Sequence, residues 1–175
     1  MSNRIDPISN LIIRRLVWED LPSLEWDGEF VHFRRLYAEA YRRSREGEAV
    51  LWVAELSDRG VIGQVFVQLK SHRHDLADGG TRAYIYGFRV RPLYRQQGIG
   101  TLMLQTLEED LIERGFHRAV LNVARINLEA RRFYERKGYR VIGRDPGRWS
   151  YLDENGARCE VHEPAWRMAK ELKCV

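Results

Sequence analysis

Cysteine is nearly absent from this chain of 175 residues, which has two, Cys159 and Cys174. Neither stands in a metal-ligand spacing, and two thiols do not make a disulfide framework. The sequence therefore predicts no metal site and a reducing cytoplasm as the natural home. Long apolar runs are missing too. No segment approaches the ~20 residues a helix needs to cross a bilayer, and Met1-Ser2-Asn3-Arg4-Ile5-Asp6-Pro7 lacks the apolar centre of a secretion signal. Nor is one sign of charge in excess: 29 basic and 25 acidic residues give a formal net charge of +4. That is too mild for a nucleic-acid stripe, and no aromatic platform compensates. Membrane and nucleic-acid partners are thus not expected. A hydrophobic content of 44% with 31% charged residues describes an ordinary globular chain. Its length suits one domain over residues 1–175, since domains commonly hold ~100–150 residues.

Periodicity supplies the elements. Leu11-Ile12-Ile13-Arg14-Arg15-Leu16 predicts a first strand, and Asp20 and Pro22 mark a helix start. Phe30, Phe33, Tyr37, Ala40 and Tyr41 recur at helical spacing, so a helix is expected over 29–45. Two β-branched segments, 49–56 and 61–70, flank Ser57-Asp58-Arg59-Gly60 as a hairpin would. After a His- and Gly-rich loop comes a strand over 81–90. A helix with the stripe Ile99, Met103, Leu107 and Leu111 follows, ended by Gly115 with Phe116 packing back. Strand 118–124, helix 127–137, strand 139–144, a short strand near Tyr151 and a last strand over 165–172 complete the series. His72 and His74, without a third ligand, are expected to be exposed loop residues.

The most informative stretch joins strand 81–90 to the next helix: Arg95-Gln96-Gln97-Gly98-Ile99-Gly100-Thr101. Glycines permit close backbone approach. The first-turn amides of a helix lack partners and carry partial positive charge, so they bind phosphate, and Arg95 adds a full charge beside them. A triphosphate loop would need Lys after its last glycine, and a dinucleotide loop a third Gly or Ala where Met103 stands.

The stretch resembles the Gln/Arg-x-x-Gly-x-Gly/Ala signature of the GNAT superfamily of N-acetyltransferases. Downstream, Ala119-Val120-Leu121-Asn122-Val123 and the run Asn127 to Tyr139, with Phe133-Tyr134 and Gly138-Tyr139, are similar to that family's second signature. The likeness covers residues 81–144. It implies a single α/β sandwich whose mixed sheet of about seven strands, flanked by helices, is splayed between the fourth and fifth. It further implies acetyl-coenzyme A (acetyl-CoA) as co-substrate and acetyl transfer to a primary amine by direct attack on the thioester. A non-catalytic acyl-CoA sensor of the same fold is the alternative.

On this resemblance the amides of Gln96, Gln97, Gly98, Gly100 and Thr101 hold the pyrophosphate with Arg95, and the backbone of Phe88 and Val90 pairs with the pantetheine arm. Asn127 is either a second contact to that arm or a simple helix cap. Tyr134 is implied as the acid for the departing thiolate, with Phe133 expected in the core and Tyr134 turned to the cleft. A free amide near Phe88 or Arg89 would take the oxyanion. The strand carries no Glu to serve as base: Tyr84, Tyr86, Glu25, Glu29, His32 and Glu163 all stay open. The acceptor, a small amine or a peptide or protein amine, is expected between segments 24–41 and 145–165, whose aromatics and carboxylates would suit a cationic amine. A homodimer stays open.

Overall fold

The computed structural model describes residues 9–173. The opening heptapeptide and Cys174 lie outside the described residues. Seven strands form one sheet in the order β1-β2-β3-β4-β5-β9-β6: β1 (Leu11–Arg15), β2 (Ala49–Leu56), β3 (Gly60–Gln68), β4 (Arg82–Val90), β5 (Arg118–Ala124), β9 (Ala165–Glu171) and β6 (Arg140–Asp145). Pairing is antiparallel except between β4 and β5, which run parallel across helix α2 (Ile99–Glu113). The remaining two strands, β7 (Arg148–Leu152) and β8 (Arg158–His162), form a separate hairpin. Sequence patterning predicts one short strand there. The difference lies in the turn, where Asp153 Oδ1 accepts from the amides of Asn155 at 2.9 Å and Ala157 at 2.8 Å, folding a polar stretch back on itself.

Helices cover both faces. On one, α2 buries the expected stripe of Ile99, Met103, Leu107 and Leu111, with Leu104 added. It packs with α3 (Leu128–Arg136) over a core that includes Ala54, Val65, Ile85 and Leu121. The close of α2 is as expected: Gly115 takes φ +88, and Phe116 N donates to Leu111 O at 2.9 Å. On the other face, α1 (Arg34–Arg45) buries Tyr37 and Ala40 against Leu51, Val53 and Phe66. Before α1 the structure departs from expectation. Instead of one helix over 29–45 the chain makes 3-10 turns over Trp18–Gly28 and Val31–Phe33, with Trp26 and Asp27 left-handed. No side chain caps α1, and its first residues follow a kink that turns the rings of Phe30 and Phe33 inward.

The sheet opens at its centre. β4 and β5 pair from Arg82↔Arg118 only as far as Ile85↔Leu121, although both strands continue. At that level β4 carries an extra residue: Gln64 faces Arg89 and Phe66 faces Tyr86, so Val65 stands opposite both Gly87 and Phe88. A bulge of this kind bends its strand and leaves backbone groups unpaired. The expected splay between the fourth and fifth strands is present and has a local cause.

Candidate active site

Two cavities meet at the bulge from opposite faces of the sheet. The bulge separates their walls: plain alternation would put Phe88 on the same face as Tyr84 and Tyr86, but the extra residue reverses it, so Tyr84 and Tyr86 face α1, Phe88 faces the α2–α3 side, and Arg89 lines both.

The α2–α3 cavity has a volume of about 570 Å³. Phe88, Val90, Arg95, Gln96, Gly98, Gly100, Thr101, Asn127 and Tyr134 all line it. Gly98 caps α2 at φ +84, where an L side chain is strained. Gly100 matters for space instead, since a Cβ there would stand 3.6 Å from the Phe133 ring. Among the described residues, the amides of Gln96, Gln97 and Gly98 donate to no backbone carbonyl. Those of Ile99, Gly100 and Thr101 lie in a first turn that has no acceptors for them. The result is a cluster of free N–H groups at the positive end of a helix, suited to a pyrophosphate.

Three expectations need correction here. Gln97 does not line the cavity: left-handed residues on either side, Gln96 at φ 59 and Gly98, turn it away, and its Nε2 donates to Leu93 O at 3.3 Å. Val90 offers less than expected, because Arg95 Nε donates to its carbonyl at 2.7 Å. Phe133 and Tyr134 do not divide between core and cleft as expected, since both line the cavity. Tyr134 is buried among the rings of Phe88, Phe133 and Tyr139, whereas Phe133 is half-buried and walls the cavity beside it. Asn127 Oδ1 accepts from Ala130 N at 3.1 Å, so the capping reading holds while the residue also borders the cavity. Sequence reasoning missed Trp26, Glu29, Phe30 and Arg136 on this wall. The left-handed pair Trp26-Asp27 brings that segment over the end of β4, where Arg91 stacks on Trp26 at 5.6 Å and reaches Asp27 at 3.4 Å.

The α1-side cavity, about 490 Å³, is walled by Phe33, Tyr37, Phe66, Tyr84, Tyr86 and Trp149, with Asn122 and Gln68 between them. The β7–β8 hairpin closes it, resting Trp149 and Tyr151 on Phe33 at 6.3 and 5.0 Å between ring centres. Its charges are Arg73, Arg89, Arg148, Asp145 and Glu163. The expectation of carboxylates for a cationic amine is therefore not met: arginines outnumber acids. Asp145 is engaged by Arg167 at 2.5 Å and Arg73 at 3.2 Å, and Asp75 ties the same two arginines together. Burial alone would push the Asp145 carboxyl up. The Gly147 amide and the two guanidiniums outweigh it and hold the group below its ordinary value.

The open set of bases narrows accordingly. Glu25 is paired with Arg34 at 2.7 Å, Glu29 faces the other cavity, and His32 lies against Phe33 at 4.2 Å. Burial pushes Tyr86 up to about 12 and raises Tyr84, so both phenols stay protonated near neutral pH and neither supplies a phenolate base. Glu163 remains: it lines the cavity, and among the described residues its carboxylate has no ion-pair partner. Burial likewise raises Tyr134 above its ordinary value. Its hydroxyl makes no hydrogen bond to a protein group among the described residues, which leaves the proton free for a guest in the cavity.

A further cleft of about 650 Å³ borders the β9–β6 edge, where Glu108 already bonds Tyr139 and Lys170. It contains none of the groups described above.

Known proteins bear on this geometry. "Probable N-acetyltransferase camello" from Xenopus tropicalis is 34% identical over 92 residues, which are 53% of this chain but only 39% of that relative. Among solved structures, Ard1 from Thermoplasma volcanium aligns over 94% of this chain and 99% of its own, with TM-score 0.72 at 19% identity. Arabidopsis thaliana NAA60 in complex with acetyl-CoA aligns over 93% and 98%, with TM-score 0.69 at 20% identity. These two likenesses concern the fold. Residues 13–139 match the model of the acetyltransferase (GNAT) family, and with most of its length inside that match this chain belongs to the GNAT family.

Proposed function

We propose that this chain is an acetyl-CoA-dependent N-acetyltransferase that passes the acetyl group directly to a primary amine. One observation carries the reading: a helix start with free amides and a second cavity under the β7–β8 hairpin lie on opposite faces of the sheet and meet at the β4 bulge. Acetyl-CoA has a polyanionic end and a neutral thioester end, which match the free amides at Gln96 and from Gly98 to Thr101 and the splay beside Phe88. That NAA60 was crystallised with acetyl-CoA supports the same choice.

The acceptor approaches from the α1 side. Its ammonium gives a proton to Glu163, directly or through water, and the free amine attacks the thioester carbonyl. A carbon–nitrogen bond forms, the carbonyl electrons move to oxygen, and an unpaired amide at Phe88 or Arg89 holds that charge. As the oxyanion collapses the carbon–sulfur bond breaks, the newly bonded nitrogen gives its extra proton to water, and the thiolate takes a strong hydrogen bond from Tyr134 or its proton, which water then restores. An ordinary thiol has a pKa of ~8.5 and tyrosine ~10. Burial widens that gap, so Tyr134 serves better as a donor to the thiolate than as a free acid.

The free amide groups, the cap at Gly98 and the arginines Arg95 and Arg136 support the cofactor assignment. We further read residues 1–175 as one domain and, on the scarcity of cysteine, place it in the cytoplasm with no nucleic-acid or membrane partner. Among the described residues no helix is long and apolar enough to cross a membrane.

The test is release of coenzyme A thiol from acetyl-CoA in the presence of a panel of amines and peptides. Amine-dependent release with an N-acetyl product is expected. Tight acetyl-CoA binding with no release for any amine would make the chain a sensor.

A further inference from the structure

We infer that the acceptor is a free amino acid, held by its carboxylate on Arg89 and Arg148 while its amine faces the splay. The inference rests on the acetyltransferase reading above and specifies its substrate.

The charges on the acceptor wall divide into two groups. Arg73 closes on Asp145 and Asp75, and Arg167 behind it does the same, so these four neutralise one another. Arg89, Arg148 and Glu163 are left, and among the described residues none of them has an oppositely charged partner. Arg89 is the telling one. It is half-buried, stacked over Phe30 at 4.3 Å and Phe33 at 5.4 Å, and donates to Tyr37 Oη at 3.2 Å. Rings and a phenol orient a guanidinium without neutralising it, and a charge withdrawn from water is costly unless paired. A ligand anion is the missing partner.

The cofactor does not supply that anion at this point. Its phosphates belong with the helix end at Gly98, whereas Arg89 stands at the bulge, where the neutral thioester lies. The acceptor must supply it. Two cations and one carboxylate around an aromatic chamber suit a molecule that carries both an ammonium and a carboxylate. A polyamine would meet uncompensated arginines. Size points the same way: about 490 Å³ under the β7–β8 hairpin, with Trp149 and Tyr151 seated on Phe33, suits a small molecule.

The experiment measures kcat/KM for free L-amino acids with small, aromatic, acidic and basic side chains, each beside its α-carboxamide. Spermidine and a tetrapeptide with a free amino end are run alongside. At least a tenfold preference for the acid over its amide, carried by KM, is expected in the best pair. Amidation lowers the basicity of the amine and by itself favours attack, so it cannot produce that preference. Arg89→Gln should bring the ratio toward one and Arg89→Lys should restore part of it. Arg148→Gln, at an exposed position where folding is not at stake, should lower the ratio as well. Amides as good as acids, spermidine or the tetrapeptide as best acceptor, or an Arg89→Gln loss equal for both members would overturn the amino-acid inference and leave the acetyltransferase standing. No turnover of any acceptor would overturn both.

Discussion

Arg167 on β9 grips Asp145 at the end of β6 through a 2.5 Å contact between nearly buried side chains, 11% and 6% exposed. The pair ties the edge strand to its neighbour where the chain turns into the β7–β8 hairpin, so it supports the floor and the cover of the α1-side cavity together. Arg167 also donates to Asn122 Oδ1 at 2.7 Å, linking the same junction to β5.

Removing Asp145 leaves the nearly buried Arg167 with only the exposed Asp75 to offset its charge. Asp145→Asn is therefore expected to destabilise the protein by about 3 kcal/mol at neutral pH, measured by urea unfolding. The sign with pH follows from the lowered carboxyl of Asp145. A group depressed on folding contributes its stability above the unfolded carboxylate pKa of ~3.9 and loses it as pH falls through the folded value. The difference between wild type and Asp145→Asn should hold through neutral pH and shrink in strong acid. A gap that stays constant into strong acid would show that the ion pair is not its source.

The glycine loop offers two separable variants. Gly98→Ala forces a side chain into a left-handed backbone and should cost about 1 kcal/mol of stability, seen as a lower Tm. Gly100→Val strains no φ but fills space against Phe133 and Phe88 on the cavity wall. It should weaken acetyl-CoA binding at least tenfold, ~1.4 kcal/mol by calorimetry, with Tm little changed. Unchanged affinity in a folded Gly100→Val protein would remove the cofactor from this cavity.

What could be seen in the sequence follows the range of the interactions. The loop from Arg95 to Thr101 was legible because its chemistry is local: a strand end, a helix start and glycines at fixed spacing. The α2 stripe and the β2–β3 hairpin are local in the same sense. The cluster of Arg73, Asp75, Asp145 and Arg167 was not, since its Arg167–Asp75 contact joins residues 92 positions apart and its members meet only through the sheet order. Trp26 and Glu29 were expected at the acceptor, but two left-handed residues carry them to the cofactor side, a turn no periodicity foretells. Phe133 and Tyr134 share the cavity wall, with Tyr134 the more buried, because helical period sees only one face, whereas α3 beside an opened sheet meets both core and cavity.

Tyr134→Phe should lower turnover by ~10²-fold or more with little change in acetyl-CoA affinity, because the hydroxyl acts as the thiolate forms. The raised phenol adds a pH test. Since Tyr134 stays protonated beyond the usual tyrosine value of ~10, it cannot cause an alkaline fall in kcat below that pH. Any such fall in the wild type should persist in Tyr134→Phe. Its disappearance would mean that Tyr134 ionises in the working range and acts as a proton acceptor rather than a donor.

Two tryptophans separate the two cavities. Trp149 lines the α1-side cavity, the proposed acceptor site, and rests on Phe33 at 6.3 Å, while Trp26 lines the α2–α3 cavity, the proposed cofactor site, and packs edge-on against Phe30 at 5.0 Å. Truncating an aromatic wall removes both contact area and the exclusion of water, so each loss should fall on the ligand that the wall touches. Trp149→Ala is expected to raise the acceptor KM about tenfold, ~1.4 kcal/mol, with acetyl-CoA affinity preserved. Trp26→Ala should do the reverse, weakening acetyl-CoA while acceptor KM at saturating cofactor stays near wild type. Glu29 and Tyr151 sharpen the contrast, since Glu29 shares the wall with Trp26, whereas Tyr151 touches Phe33 and His32 but does not line the cavity. Glu29→Gln should thus follow Trp26, and Tyr151→Phe should alter neither constant. Parallel titrations of acetyl-CoA by calorimetry and of acceptor by thiol release give all four answers. If Trp149→Ala weakens the cofactor and Trp26→Ala the acceptor, the two faces of the sheet have been assigned the wrong way round.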